Sequence, residues 1–296
     1  MTRKPIPLFI NPAAGRGRAG RRLVRIVERL AAKGIVADVR ASTSPGDIER
    51  SVGELPAGSR ILVAGGDGSI HEAVNGIVRS GGDISLGVIP TGTGNDFAKS
   101  AGIPRHWAAA CDGLAAKLLD DIAPRAVDLG RMNDRYFANG AGIGLDAKVT
   151  RIAHSYRLPI GDLVYLIAIL DTMREDITTP YMTITGDTVW SGPVTLVSIS
   201  NGPWIGGLFH IAPMAANRDG LLEMLIAAPV TRRRIFGLVP KLMRGRHLDE
   251  TEICHASIRQ LTVVAEAPVE SHLDGEIQPP ANQFEFEVLP GALKLF

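Results

Sequence analysis

A chain of 296 residues has room for one large domain or two, each with its own core. With 45% hydrophobic and 21% charged residues it has an ordinary globular composition, and a formal net charge of +1 argues against nucleic-acid binding. Its two cysteines, Cys111 and Cys254, match no zinc or Cys-x-x-Cys spacing and are expected as reduced thiols in a cytosolic protein.

The start of the chain, residues 1–7, carries charge but no apolar stretch of the kind a signal peptide needs. Residues 6–10 form a short apolar run closed by Asn11-Pro12, and are expected as a first strand. Over residues 20–33, Leu23, Ile26, Val27 and Leu30 share one helical face, and Gly34 stops the helix. Residues 36–40 and 60–64 are expected as the second and third strands. Ile70, Ala73, Val74 and Ile77 mark a helix starting just after Gly68, and residues 86–89 form a fourth strand closed by Pro90. This alternation implies a parallel sheet with helices on its faces, where ligands bind beyond the carboxyl ends of the strands. From about Arg125 the pattern turns β-rich, with runs at 136–138, 181–184, 194–199, 222–226, 261–265 and 284–289. An antiparallel sandwich or barrel-like second domain is expected there. Within it, residues 163–170 are the longest apolar run, far short of the about 20 that span a membrane, and are expected as a buried core helix.

Three loops of the first half follow strands in the same way: Asn11-Pro12-Ala13-Ala14-Gly15, Gly65-Gly66-Asp67-Gly68-Ser69, and Pro90-Thr91-Gly92-Thr93-Gly94-Asn95-Asp96. In a parallel sheet all three converge on one edge. Consecutive glycines let backbone N–H groups reach phosphate oxygens, and the helix after Gly68 adds its positive end. Ser69 and Thr93 offer hydroxyls, and Asn95 suits a ribose or a loop carbonyl. Asp67 would repel a phosphate unless it holds Mg²⁺ or takes a proton. Any one loop could be a tight turn, with Asp67 capping the next helix; the convergence of three points to nucleotide phosphates. The Gly15-x-Gly17-x-x-Gly20 spacing, with Asp38 further on, imitates a dinucleotide fingerprint. Asn11 to Ala14 separate it from the strand, however, whereas a dinucleotide turn begins almost at once, so hydride transfer is set aside.

These loops resemble those of the diacylglycerol kinase catalytic-domain family, which includes bacterial lipid kinases and the sphingosine and ceramide kinases. The resemblance rests on Asn11-Pro12 through Gly17, on GGDGSIHEAVNG from Gly65, and on LGVIPTGTGNDFA from Leu86. It continues through Asn139 to Asp146, Asn201-Gly202 through Gly207, Asp219-Gly220-Leu221-Leu222 and Asp274-Gly275-Glu276. It implies an α/β nucleotide-binding domain over 1–125, of the NAD kinase and phosphofructokinase type. A β-rich lipid-substrate domain would cover 126–286, and a tail of about 287–296 would return to the first. ATP would bind between the domains, contacted by Asn11, Thr43, Gly65, Gly66, Asp67, Gly68, Ser69, Glu72, Thr93 and Asn95. The base that deprotonates the acceptor hydroxyl would be Glu276 or Asp274, with Glu276 ranked slightly ahead, and Asp67 would organise metal or phosphate. A Mg²⁺ site would use Asp219 with the carbonyls of Ala216 and Leu221, although Asp219-Gly220 is equally a standard turn. Where many family members carry three glycines, this chain has Gly206-Gly207-Leu208.

The implied activity is transfer of the γ-phosphoryl of ATP to a lipid hydroxyl, by default that of diacylglycerol. Residues 230–247 place Ile235, Leu238, Val239 and Leu242 on one face and Arg232, Arg233, Arg234, Lys241, Arg244 and Arg246 around it. Such a helix can lie on an anionic membrane or pack on its own domain. The expected setting is cytoplasmic, peripherally associated with a membrane, with no transmembrane segment or nucleic-acid partner and with a homodimer allowed. An NAD kinase-like enzyme shares the GGDG loop, and a non-catalytic nucleotide or lipid sensor would usually have lost one of the carboxylates.

Overall fold

The computed structural model describes residues 4–156, 161–174 and 177–296 and divides into two compact units, residues 1–128 with 291–296 and residues 129–290. The first three residues of the charged start lie outside the described residues.

In the first unit the elements run β1 (Ile6–Ile10), α1 (Ala14–Ala32), β2 (Ala37–Ala41), α2 (Asp47–Gly53), β3 (Ser59–Gly65), α3 (Asp67–Arg79), β4 (Ile84–Pro90), α4 (Asp96–Ser100) and α5 (Trp107–Leu119). Its strands are parallel in the order β4-β3-β1-β2, and the chain's last strand adds Lys294 and Leu295 beside Ser85 and Leu86 of β4. Residues 61–65 of β3 are buried without alternation, as a central strand covered on both faces requires. Ile26 and Leu30 of α1, Leu114 and Leu118 of α5 and Phe296 pack with Leu8, Ile10, Leu62, Ala64 and Ile89 of the sheet. Helix α1 starts earlier than the apolar periodicity indicates, but Gly15, Arg16 and Gly17 are left-handed (φ 58°, 61° and 78°), so its regular, amphipathic part begins after that kink.

The second unit continues with β5 (Arg125–Met132), β6 (Arg135–Phe137), β7 (Gly140–Gly144), α6 (Leu145–Ser155), α7 (Leu163–Thr172), β8 (Tyr181–Gly186), β9 (Trp190–Pro193), β10 (Leu196–Ser200), β11 (Leu222–Ala227), α8 (Arg232–Met243), β12 (Ile253–Ile258), β13 (Gln260–Leu273) and β14 (Glu276–Leu295). The chain leaves the first unit within β5 and returns to it within β14. Antiparallel strands run β12-β11-β10-β7-β13-β14, with the β8–β9 hairpin beside β13 and the β5–β6 hairpin beside β14. Phe137, Ile143, Ile184, Val197, Met224, Val263, Phe284 and Phe286 share its core. The α/β unit and the β-rich sandwich are the two fold types expected from the sequence. The run expected as a buried core helix is corrected: α7 buries Val164, Ala168 and Thr172, while Leu163 and Leu170 are 53% and 51% exposed. Its period of 3.6 turns only one stripe inward, and that stripe packs against α6.

Candidate functional site

The carboxyl edge of the parallel sheet holds the three glycine loops together. The N–H groups of Thr91 and Gly92 donate to the Gly65 carbonyl at 2.9 and 3.3 Å. Gly66 and Gly92 approach so closely that a Cβ on Gly92 would stand 2.4 Å from the Cα of Gly66, a backbone contact with no room to yield. Asn95, left-handed at φ 51°, closes the loop on itself: its Oδ1 accepts from Gly92 N–H at 3.0 Å and its Nδ2 donates to Gly92 O at 3.1 Å. Asn95 thus holds a loop carbonyl. Arg18 ties in the first loop, donating from Nε to Gly15 O and from Nη2 to Thr93 Oγ1. Within that loop, Asn11 Oδ1 accepts from Ala13 N–H.

Helix α3 begins at Asp67, directly after this junction, so its first N–H groups lack intrahelical acceptors. The N-cap residue, Gly66, has no side chain to offer them; Asp67 accepts from Phe97 N–H through Oδ1 at 3.1 Å, joining the start of α3 to the start of α4. Ser69 is buried. Two residues expected to contact nucleotide are engaged around α2. Glu72 accepts from Ile48 N–H at 3.0 Å, linking α3 to the first turn of α2. Thr43 donates both N–H and Oγ1–H to Asp47, and those bonds, with two more from Ser44, hold the Asp47 carboxyl well below the usual range.

In the second unit, Asp274 and Gly275 (φ 51° and 90°) form a two-residue turn between Leu273 of β13 and Glu276 of β14, the conformation an Asp-Gly hairpin favours. The two carboxylates of this turn meet different surroundings. Asp274 is turned back into the fold, where Oδ2 accepts from Ala138 N–H (2.9 Å) and Oδ1 from Asn139 and Gly140 N–H (2.8 and 3.0 Å). Glu276 is exposed, and its carboxylate has no hydrogen bond among the described residues. Asp219 is also exposed; its Oδ1 accepts from Leu221 N–H, while the Ala216 carbonyl accepts from Arg218 N–H. Those bonds make 216–221 a set of hydrogen-bonded turns carrying one carboxylate.

An apolar cavity of about 120 Å³ opens in the second unit between α6, α7, β10, β11 and α8. Ile235, Leu238, Val239 and Leu242 of α8 line it together with Val149, Ile169 and Phe209, and Asp146 stands among them. The apolar face of α8 is thus used within its own unit. Two of its basic side chains are engaged as well: Arg234 pairs with Glu250 and Glu252, and Lys241 with Glu250. Phe236 remains 51% exposed on the outer side. The sequence offers no period that announces this cavity, because its lining comes from several helices, strands and loops far apart in the chain. Asp146 is visible beforehand only as the last residue of the Asn139–Asp146 stretch.

Glycine-rich loops at the edge of a parallel sheet are thus joined in one chain to a β-rich unit with an apolar cavity. Comparison with known proteins gives the family. Residues 5–132 match the model of the diacylglycerol kinase catalytic domain, and residues 140–296 match that of the YegS C-terminal NAD kinase β-sandwich-like domain. A Pseudomonas aeruginosa protein named "Probable lipid kinase YegS-like" is 35% identical over 87% of this chain and 83% of its own length. A diacylglycerol kinase of Mycobacterium tuberculosis is 30% identical over 98% and 94% of the two chains. A crystal structure of a diacylglycerol kinase from Bacillus anthracis superposes with a TM-score of 0.79 at 26% identity, covering 98% of this chain and 96% of that one. The chain belongs to the diacylglycerol kinase catalytic-domain family of lipid kinases. Among the described residues, no helix is long and apolar enough to cross a membrane.

Proposed function

We propose that the protein transfers the γ-phosphoryl of ATP to the hydroxyl of a lipid, with diacylglycerol as the acceptor, and that Glu276 is the general base. The observation that carries the lipid acceptor is the apolar cavity lined by α6, α7 and α8, which offers acyl chains a dry wall inside the unit that bears the Asp274–Glu276 turn. The ATP phosphates lie along Gly65 to Ser69 and Thr91 to Asn95, where backbone N–H groups and the start of α3 meet negative charge; Asn11, Thr43 and Glu72 border that site. Asp67 orients the phosphate-binding loops through its bond to Phe97 N–H. Glu276 accepts the hydroxyl proton as the acceptor oxygen attacks in line. Asp274 serves the turn, because its oxygens are committed to three backbone donors.

Asp219 with the carbonyls of Ala216 and Leu221 forms an all-oxygen set of the hard-donor kind Mg²⁺ takes. When bound, Mg²⁺ offsets phosphate charge in phosphoryl transfer. For the membrane surface, we assign the outer side of α8, where exposed Phe236 lies beside Arg233. Diluting anionic lipid out of vesicles is expected to weaken sedimentation with them, and unchanged partitioning would sink that assignment.

The deciding experiment incubates the protein with γ-labelled ATP and Mg²⁺ against diacylglycerol micelles, a total lipid extract and NAD in parallel. Label is expected in phosphatidic acid. Label in another lipid would replace the acceptor, label in NAD would replace the class, and ATP binding without any transfer would leave a sensor.

A further inference from the structure

The hairpin turn that presents Glu276 is held from two sides, and only one of them is the Asp274 carboxylate. In a two-residue turn the N–H of the second residue has no partner within the hairpin, and here that N–H, of Gly275, donates to Nδ1 of His272 at 3.3 Å. His272 is 1% exposed. Its other ring nitrogen, Nε2, stands 3.3 Å from Oδ2 of Asp146, and neither of these two buried atoms makes a hydrogen bond to any described group, the pair itself meeting at ion-pair distance without hydrogen-bond alignment.

The slot they share exists because the strand residue opposite His272 is Gly142. A Cβ on Gly142 would stand 2.2 Å from Asp146 Oδ2 and 2.5 Å from His272 Nε2. A glycine inside a strand often marks a close approach of this kind. Since Nδ1 accepts from Gly275, the ring proton belongs on Nε2, and a carboxylate facing Nε2 selects that tautomer.

We propose that His272 is a positioning residue: held in its Nε2–H tautomer by Asp146, it clamps Gly275 and so sets the direction in which Glu276 leaves the turn. The inference rests on the kinase reading and deepens it. Displacement of a catalytic group by about 1 Å costs up to about 100-fold in rate, which sets the scale.

The test uses the full chain with His272→Leu, which removes the acceptor, and His272→Asn, whose side-chain oxygen can take the place of Nδ1. His272→Leu is expected to lower kcat by about 10- to 100-fold while KM for ATP stays within about twofold. His272→Asn is expected to recover most of that loss at an unchanged melting temperature. Full kcat in the Leu variant would overturn the proposal, as would an Asn variant that melts like the unaltered protein yet recovers nothing. Should the Leu variant fail to fold, ring ¹⁵N NMR of the unaltered protein decides: the Nε2–H tautomer supports the clamp, and an Nδ1–H or doubly protonated ring overturns it. Absence of transfer to any acceptor by the unaltered protein would sink the kinase reading, and the tautomer would still judge the clamp.

Discussion

Replacing Asp274 and Glu276 one at a time separates a residue that builds the turn from one that acts on substrate. In Asp274→Ala, the N–H groups of Ala138, Asn139 and Gly140 lose their acceptor, and all three belong to buried residues. Leaving a buried donor unsatisfied costs about 1–3 kcal/mol each. Alanine at φ 51° adds about 1–2 kcal/mol that aspartate tolerates better. With water entering beside the half-buried turn, we expect a loss of about 4 kcal/mol, or about 8–16 °C in melting temperature for a unit of this size. Asp274→Asn, which keeps one acceptor oxygen and tolerates the left-handed conformation, should lose about half as much. Glu276→Gln removes an exposed carboxylate, so its melting temperature should stay within about 2 °C while kcat falls by about 100- to 10,000-fold. The assay pairs calorimetry with initial rates of lipid phosphorylation. An Asp274→Ala protein that melts like the parent, or a Glu276→Gln protein with full kcat, would refute the division of roles.

Gly92→Ala puts a methyl 2.4 Å from the Cα of Gly66 and 2.8 Å from Asn95 Oδ1; at about 1–3 kcal/mol for overpacking, ATP affinity should fall about tenfold or more in a nucleotide titration, and unchanged affinity would show that the two loops do not bind jointly. Arg234 holds the Glu252 carboxyl down at about 2, below its ordinary 4.5. A depressed carboxylate stabilises the fold above its unfolded value and loses that contribution as pH falls through the folded one. The gap in melting temperature between the parent and Arg234→Met should therefore be full at about pH 6 and close between about pH 4.5 and pH 2; a constant gap would remove the ion pair from the account. Burial pushes the Cys111 thiol up to about 11, whereas Cys254 is exposed. One thiol should react with iodoacetamide in the native protein and two in denaturant, as mass spectrometry will count.

The parallel sheet, the three loops and the Asp-Gly turn are local matters, and for that reason they were legible. Apolar runs such as 60–64 and 86–89 end in residues that can only turn, and Gly65-Gly66 or Thr93-Gly94-Asn95 allow few conformations besides loops that meet at a strand edge. The lengths of β13 and β14 were not legible. Pro268, Pro279 and Pro280 interrupt their apolar runs, and the strands continue only because irregular register between Val264 and Ser271 accommodates them. The exposure of α7 was hidden likewise, since an apolar run records what could be buried and not how many neighbours arrive to cover it.

By itself the sequence determined that glycine loops meet at one strand edge and that Asp274-Gly275-Glu276 turns, because both follow from backbone conformations that few residue types allow. Only the tertiary structure decided what the carboxylates do there. Asp274 turns inward to accept from three N–H groups more than a hundred residues away in the chain. Asp146, His272 and Gly142 meet because β7 and β13 pair in one particular register. Such meetings depend on the distance between strands rather than on spacing along the chain, and no local pattern encodes them.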